Sequence, residues 1–296
     1  MSRRNNRARA GSTEKKVPAD SSVEATLASQ SDESGSSLLS FVTPTEFVQL
    51  PSKGKFYPSE HPLHNKDVVE IKYMTAKHED ILTSQTLLRK GIAIDRLLES
   101  LILDKSIKLD NLLIGDKNAI TIAARKTGYG SEYETSMVCP GCGIKQNHSF
   151  DLDELKHNFP FEEELEEFNI ELTANNTFLI NLPQTKVALE TRLLSDADER
   201  VLEKTSKMRK KHGLGRGEIT LTDRLKAVVL TADGETNRNI IEEFIDNMPA
   251  LDAKFFRAAY AALTPNIEMK QEYRCDSCGH EEEVDVPLSA DFFWPG

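Results

Sequence analysis

Two pairs of cysteines constrain this chain more than any other feature of its sequence. They are Cys139-Pro140-Gly141-Cys142-Gly143, the first knuckle, and Cys275-Asp276-Ser277-Cys278-Gly279, the second knuckle, and the chain has no other cysteine. A C-x-x-C turn directs two thiolates at one centre, and the following glycine permits the positive φ that closes the turn. Two such turns supply four soft ligands, the shell of a closed, structural zinc site. The sequence therefore predicts one zinc ion bound by four sulfur ligands, those of Cys139, Cys142, Cys275 and Cys278.

Other uses of these cysteines stay open at the level of sequence. They are a redox-active C-x-x-C, free structural thiols and an iron–sulfur cluster. A thioredoxin-like pair would begin a helix after a buried strand, and neither knuckle has that setting. His148 and His280 are possible substitute ligands, although four cysteines already complete a zinc shell. Lys145, Arg274 and His280 lie close enough in sequence to offset the charge of a zinc tetrathiolate.

The spacing around the knuckles predicts an α+β fold. Asp116 and Asp252 precede Cys139 and Cys275 by the same number of residues, and each aspartate is suited to cap a helix. We therefore expect two similar strand–helix–helix–hairpin halves, joined by a four-cysteine, zinc ribbon-like site. Because the knuckles are about 136 residues apart, a shared metal would close a long loop. The alternative is two unrelated α+β segments that share a zinc knuckle.

Composition and the repeated order of predicted elements divide the chain into three parts. Residues 1–40 are rich in Ser, Asn and charged side chains and contain almost no aromatic residue. Such a segment cannot offset the entropy lost on ordering, so we expect a disordered N-terminal arm. Residues 41–160 form the predicted first α+β half with the first knuckle. Residues 161–296 form the predicted second α+β half with the second knuckle.

Local patterns predict the elements of each half. Proline and glycine spacing makes residues 50–58 a turn-rich extended segment. Alternating or apolar runs predict strands, which are expected at 68–74, 177–182 and 187–193. Helix caps are expected at Thr75, Asp116, Ser195 and Asp252. A hairpin with the first knuckle is expected over 133–150.

The net charge and the absence of catalytic motifs exclude several classes of function. The 37 Lys+Arg and 48 Asp+Glu residues give a net charge of −11, which disfavours general attraction to nucleic acid. A zinc-ribbon nucleic-acid-binding protein remains the alternative, although Glu281, Glu282 and Glu283 lie beside the second knuckle. No apolar run approaches the ~18–20 residues of a membrane span, and no secretory signal is expected. Without a G-x-S-x-G, Walker A or H-E-x-x-H motif, we expect neither enzymatic activity nor a small-molecule substrate.

Several motifs in a fixed order carry a resemblance to a known family. They are Leu50-Pro51-Ser52-Lys53-Gly54-Lys55-Phe56-Tyr57-Pro58, Gly115-Asp116-Lys117 and Ala124-Arg125-Lys126-Thr127-Gly128-Tyr129-Gly130, followed by the first knuckle. In this order they resemble the baseplate hub assembly proteins of T-even-like contractile-tailed bacteriophages. The resemblance covers residues 45–155 well. It is looser in the second half, where the second knuckle and the terminal Asp291-Phe292-Phe293-Trp294 carry it.

The resemblance implies a non-enzymatic role in building the baseplate hub. The protein is expected to be a hub subunit or a hub assembly factor, with other phage hub or tail proteins as its partners and with no membrane association. It would act in the host cytoplasm during virion assembly, and a retained subunit would lie in the virion tail baseplate. The aromatic residues Phe292, Phe293 and Trp294 are expected to fold back onto the core rather than to serve as an exposed interface anchor.

Overall fold

Helices alternate with short antiparallel strands along the whole described chain. The computed structural model of the protein describes residues 43–160, 162–212, 218–288 and 290–293. The predicted arm over residues 1–40 lies outside the described residues, as does Trp294. The α+β prediction is confirmed for the part of the chain that is described. The division at residues 40 and 160 stays a prediction.

Residues 43–160 begin with a strand pair, continue through helices and end in a hairpin followed by one short strand. Their elements are β1 (Thr45–Gln49), β2 (Val68–Lys72), α1 (Ala76–Thr83), α2 (Gln85–Lys90), α3 (Ala93–Leu101), a 3-10 turn (Leu109–Asn111), α4 (Ile114–Tyr129), β3 (Glu132–Val138), β4 (Lys145–Asp151) and β5 (Lys156–Asn158). β1 pairs with β2, with Val48 opposite Val69, and β3 pairs with β4. Thr75 caps α1, as predicted.

The chain after residue 161 runs through a comparable order. Its elements are α5 (Glu162–Glu167), β6 (Ile170–Leu172), β7 (Phe178–Asn181), β8 (Ala188–Thr191), α6 (Asp196–Lys211), α7 (Leu221–Val228), β9 (Val229–Ala232), α8 (Arg238–Asp246), α9 (Ala250–Leu263), β10 (Asn266–Glu268), β11 (Lys270–Arg274), β12 (Glu281–Asp285) and a 3-10 turn (Ala290–Phe293). β6, β7, β8 and β9 form one antiparallel sheet, and β11 pairs with β12. Ser195 caps α6, as predicted.

Apolar side chains from both parts of the chain pack into one continuous core. It includes Val48 and Ile71 from the first strand pair, Leu97 from α3, and Phe178 and Phe256 from the later elements. β5 also pairs with β10, with His157 opposite Ile267. The comparable order of elements does not by itself establish a duplication, so the two-halves organisation stays a prediction.

The two aspartates predicted as helix caps have a different role, and that prediction is wrong. Leu113 and Pro249 occupy the N-cap positions of α4 and α9, so Asp116 and Asp252 lie in the first turn of each helix. Both side chains are fully buried. They accept hydrogen bonds from loops that follow strands β1 and β7 instead of from their own helices. A short polar residue near a helix start looks like a cap in sequence, whereas only the folded chain reveals a distant donor.

The end of the described chain returns to the core, as predicted. Phe292 and Phe293 are buried, and the ring of Phe292 packs edge-on against Tyr133 at a centroid distance of 5.0 Å. The buried guanidinium of Arg125 in α4 donates from Nε to the carbonyl oxygen of Phe292 at 2.8 Å. These contacts hold the terminal turn beside the hairpin that carries the first knuckle.

Candidate metal centre

Two hairpins carry the cysteines in closely matching turns. The first knuckle links β3 to β4, and the second links β11 to β12. In the first, the Cys139 amide donates to the Ile144 carbonyl at 2.9 Å, and the Gly143 amide donates to the Cys139 carbonyl at 2.9 Å. The equivalent bonds of the second knuckle measure 2.8 and 2.9 Å. Gly143 and Gly279 have φ values of 73° and 69°, the left-handed conformation that each turn needs.

The folded chain brings all four cysteine sulfur atoms together. They lie within 4.8 Å of one another, and we call this group the four-cysteine cluster. The Sγ atoms of Cys139 and Cys278 are 3.8 Å apart, as are those of Cys142 and Cys275. These distances exceed the ~2.05 Å of a disulfide bond. A tetrahedron with zinc–sulfur bonds of about 2.3 Å has edges of about 3.8 Å, so the spacing fits a zinc shell.

Backbone amide groups favour the ionised form of two thiols. The amides of Cys278 and then Ser277 act against burial and lower the pKa of Cys275 to about 6. Burial would raise the pKa of Cys139, but the amides of Cys142 and Gly141 outweigh it and lower the pKa. Thiolates are the form that binds a metal ion, so these amides favour metal binding at Cys139 and Cys275.

One side chain from the first hairpin supports the second knuckle. Gln146 on β4 donates from Nε2 to the Arg274 carbonyl at 3.2 Å, and its Oε1 accepts from the Asp276 amide at 3.2 Å. Gln146 Oε1 also lies 3.4 Å from the Sγ atom of Cys275. These contacts align the two knuckles independently of a metal ion. Outer contacts of this kind orient ligands in metal sites.

The histidines named as possible substitute ligands have other neighbours. His148 packs edge-on against Phe150 and Tyr273, at centroid distances of 4.6 and 5.1 Å. His280 lies over the first knuckle, where a β-carbon at Gly141 would come within 2.9 Å of its ring. Its Nε2 atom is 3.1 Å from a Glu282 carboxylate oxygen.

Three basic residues were expected to balance the negative charge of a metal–thiolate group. Two of them lie beside glutamates, and the third has no ion pair in the described part of the chain. Arg274 lies 3.4 Å from Glu281 in an exposed ion pair, and His280 faces Glu282. Lys145 has no ion pair among the described residues.

The sequence analysis did not identify two residues that contact the cluster, Gln146 and Tyr273. Tyr273 had a usable signal, because it precedes Cys275 by two residues and therefore shares its face of the strand, whereas nothing local singles out Gln146.

A second group of charged residues lines a groove of about 1100 Å³ beside α4 and α6. Lys117 Nζ lies 2.8 Å from Asp95 and 2.5 Å from Asp196. Arg200 forms ion pairs with Asp196 and Asp110, with nitrogen–oxygen distances of 2.6 and 2.7 Å. Each of these cations is matched by carboxylates, an arrangement typical of a structural ion-pair network that joins helices.

Among the helices of the described chain, none combines the length and the apolar character that crossing a bilayer requires.

Comparison with known proteins assigns the chain to a family. The family model described as "T4 bacteriophage base plate protein" matches residues 43–294, which is most of the chain and includes both knuckles. No curated protein and no solved structure matches significantly. The span of the match agrees with the resemblance found in the motifs around residues 50–58 and the first knuckle. The chain therefore belongs to the T4 bacteriophage base plate protein family.

Proposed function

We propose that this protein is a subunit or assembly factor of the central hub of the phage tail baseplate, and that one structural zinc ion stabilises it as a protein–protein interaction module. Membership of a base plate protein family supports the baseplate part of the proposal. The 3.8 Å sulfur separations support the zinc part, because they fit the edges of a tetrahedral zinc–thiolate shell. The sulfur geometry is the single observation that carries the zinc part, and the family match is the one that carries the baseplate part.

The zinc ion would act through the fold. Cys139 and Cys142 belong to a hairpin that follows α4, while Cys275 and Cys278 belong to one near the end of the chain. A metal shared by both hairpins closes a long loop, and its binding free energy becomes folding free energy. The comparable order of elements before and after residue 161 supports a further part of the proposal, two similar halves held together at this cluster.

The proposed role requires no catalytic step. Four sulfur ligands complete the shell of zinc and leave no position for a reactive water. The partners would be other hub or tail proteins, met in the host cytoplasm during virion assembly and kept if the protein stays in the tail. The acidic residues Asp276, Glu281, Glu282 and Glu283 around the second knuckle argue against a nucleic-acid phosphate backbone as the partner.

Elemental analysis tests the zinc part directly. Protein purified under reducing conditions is expected to contain one zinc ion per chain. Cys139→Ser should lose the ion, whereas the control His148→Ala should keep it, because His148 contacts aromatic rings and lies outside the four-cysteine cluster. Wild-type protein without zinc would refute this part of the proposal.

Affinity purification from infected cells during assembly tests the hub part. We expect the tagged protein to recover proteins of the baseplate hub, identified by mass spectrometry, and the Cys275→Ser variant to recover less of them. Recovery of outer baseplate proteins without hub proteins would contradict the hub assignment, while the family membership would stand.

A further inference from the structure

The hydroxyl group of Tyr273 is buried beside the four-cysteine cluster without an oxygen or nitrogen partner. Tyr273 is 1% exposed, and its hydroxyl oxygen makes no hydrogen bond within the described part of the chain. A buried hydroxyl of this kind costs free energy unless an acceptor reaches it. The ring packs edge-on against His148 at a centroid distance of 5.1 Å. We therefore look for an acceptor that this hydroxyl gains when the four-cysteine cluster binds a metal ion.

Sulfur atoms are the groups that face this hydroxyl. Tyr273 packs in a small buried cluster with Cys139 and Cys275, surrounded by Met137 and Val284. Burial, followed by the sulfur atoms of Cys139 and Cys275, raises the pKa of Tyr273. A tyrosine hydroxyl is protonated at neutral pH in any case, so it can act as a donor. A neutral thiol is a weak acceptor, whereas a thiolate attracts the proton much more strongly.

The two hairpins differ at this position. Tyr273 lies two residues before Cys275 on β11, and Met137 lies two residues before Cys139 on β3. The thioether of Met137 has no proton to donate. Of these two positions, only the one in the second hairpin carries a hydroxyl group. Tyr273 shares its buried cluster with Cys139, a ligand that belongs to the first hairpin.

We propose that Tyr273 donates an O–H···S hydrogen bond to the thiolate of Cys139 when the four-cysteine cluster holds its metal ion. This inference rests on the proposed zinc site. The bond spreads part of the negative charge of a metal–tetrathiolate centre onto the phenol, inside a pocket with little water. It also ties a side chain of the second hairpin to a ligand of the first. Tyr273 is thus a positioning residue of the metal centre.

The substitution Tyr273→Phe tests the proposal because it removes only the hydroxyl group. The matched control is Tyr73→Phe, at a half-buried tyrosine whose hydroxyl makes no hydrogen bond among the described residues. Competition with a chelator should show 10- to 100-fold weaker zinc binding for Tyr273→Phe, the usual effect of losing an outer-shell contact. The control should bind zinc as the wild type does. Equal zinc affinity of Tyr273→Phe and wild type would overturn the proposal.

Cobalt(II) gives a spectroscopic test of the same hydrogen bond. In the cobalt-loaded wild type, the bond lowers the energy of sulfur electrons and raises the energy of the sulfur-to-cobalt charge-transfer band. Tyr273→Phe should move this band to lower energy, and Tyr73→Phe should leave it in place. In metal-free protein the sign of the stability effect should reverse, because the substitution removes an unpaired buried hydroxyl. A charge-transfer band unchanged by Tyr273→Phe would count against the bond.

A measurement on the wild type covers the case in which Tyr273→Phe fails to fold. In protein loaded with ¹¹³Cd, the Tyr273 hydroxyl proton should exchange slowly with solvent and show coupling to the metal nucleus through the sulfur. Rapid exchange without coupling would overturn the inference. The failure of the zinc proposal is distinguishable: wild-type protein that binds neither zinc nor cobalt would refute both, whereas normal metal binding with an inert Tyr273→Phe substitution would refute this inference alone.

Discussion

At the scale of single residues, a fully buried aspartate joins the segment after β1 to helix α4. The Asp116 carboxylate accepts from the Ser52 amide at 3.0 Å, from the Ser52 hydroxyl at 2.6 Å and from the Tyr57 hydroxyl at 2.7 Å. Tyr57 in turn accepts from the Leu113 amide at 3.1 Å. The turn-rich segment over residues 50–58 is therefore held by buried polar contacts as well as by its own turns.

Replacing this carboxylate should cost stability without changing the shape of the side chain. In Asp116→Asn, an amide NH₂ group faces donors that need an acceptor, and each buried donor left unpaired costs about 1–3 kcal/mol. We expect the free energy of unfolding in urea to fall by about that amount. The control Asp80→Asn alters an exposed carboxyl and should change it by less than about 0.5 kcal/mol. Equal stabilities of the two variants would show that the buried contacts do not matter.

The glycines that close the knuckles provide a second prediction at this scale. A β-carbon at Gly143 or Gly279 would meet no atom within 4 Å, so only the positive φ opposes a larger residue. Gly279→Ala should cost about 1–2 kcal/mol, the penalty of left-handed backbone, and so weaken zinc binding about 5- to 30-fold. Gly279→Asn should be milder, because asparagine tolerates this conformation. Chelator competition measures both, and an asparagine variant weaker than the alanine variant would contradict the explanation.

At the scale of elements, a histidine completes the capping box of α1. The Nδ1 atom of His78 accepts from the Thr75 amide at 3.0 Å and lies 2.9 Å from the Thr75 hydroxyl, while Nε2 lies 3.1 Å from Ser100 on α3. Burial, and then the charges of Lys72, Lys77 and Lys105, lower the pKa of His78. The folded protein therefore requires the neutral ring, whose Nδ1 atom can accept.

This requirement predicts a loss of stability in mild acid. The unfolded chain takes up a proton at the ordinary histidine pKa of about 6.5, whereas the folded chain resists it to lower pH. The contribution of neutral His78 should be complete above pH ~6.5, decline as the pH falls through that value, and level off below the folded pKa. In His78→Gln, the stability curve should be flatter below pH ~6.5 than in the control His212→Gln. Parallel curves would contradict this reading of the cap.

At the scale of the whole molecule, the four-cysteine cluster should behave as one unit. If the knuckles share one metal ion, Cys139→Ser and Cys275→Ser should each abolish most of the zinc-dependent stability, since an incomplete shell loses the site. The double variant should be little worse than either single one, a strongly non-additive result. Thermal unfolding with and without chelator measures these differences.

Proteolysis should reveal how the chain responds to the loss of the metal. We expect both single variants to be cut faster near Glu162–Glu167 than the wild type, because the hairpins are no longer joined across a long loop. The control His148→Ala should keep its zinc and its resistance to protease. Additive effects of the two cysteine substitutions, or full zinc content in either variant, would place the knuckles in separate sites.

The sequence by itself determined the features that depend on a few neighbouring residues. These include the two knuckles, the hairpins that carry them, and the caps Thr75 and Ser195, because each turn or cap is formed by groups within a few positions of one another. The two knuckles also indicated which chemistry to expect, a metal ion bound by four cysteine sulfur atoms. The motif order was specific enough to indicate a phage baseplate family, which the family match confirmed.

Only the tertiary structure decided which distant groups meet. The sequence did not distinguish Asp116 as a local cap from Asp116 as the acceptor for Ser52 and Tyr57, because both roles need a short carboxylate near a helix start. Nor did it indicate that Gln146 would bond to the second knuckle, or that Tyr273 would pack in one buried cluster with Cys139 of the other hairpin. Such contacts join residues that are far apart in the chain, so they exist only after packing of the common core has closed the long loops between them.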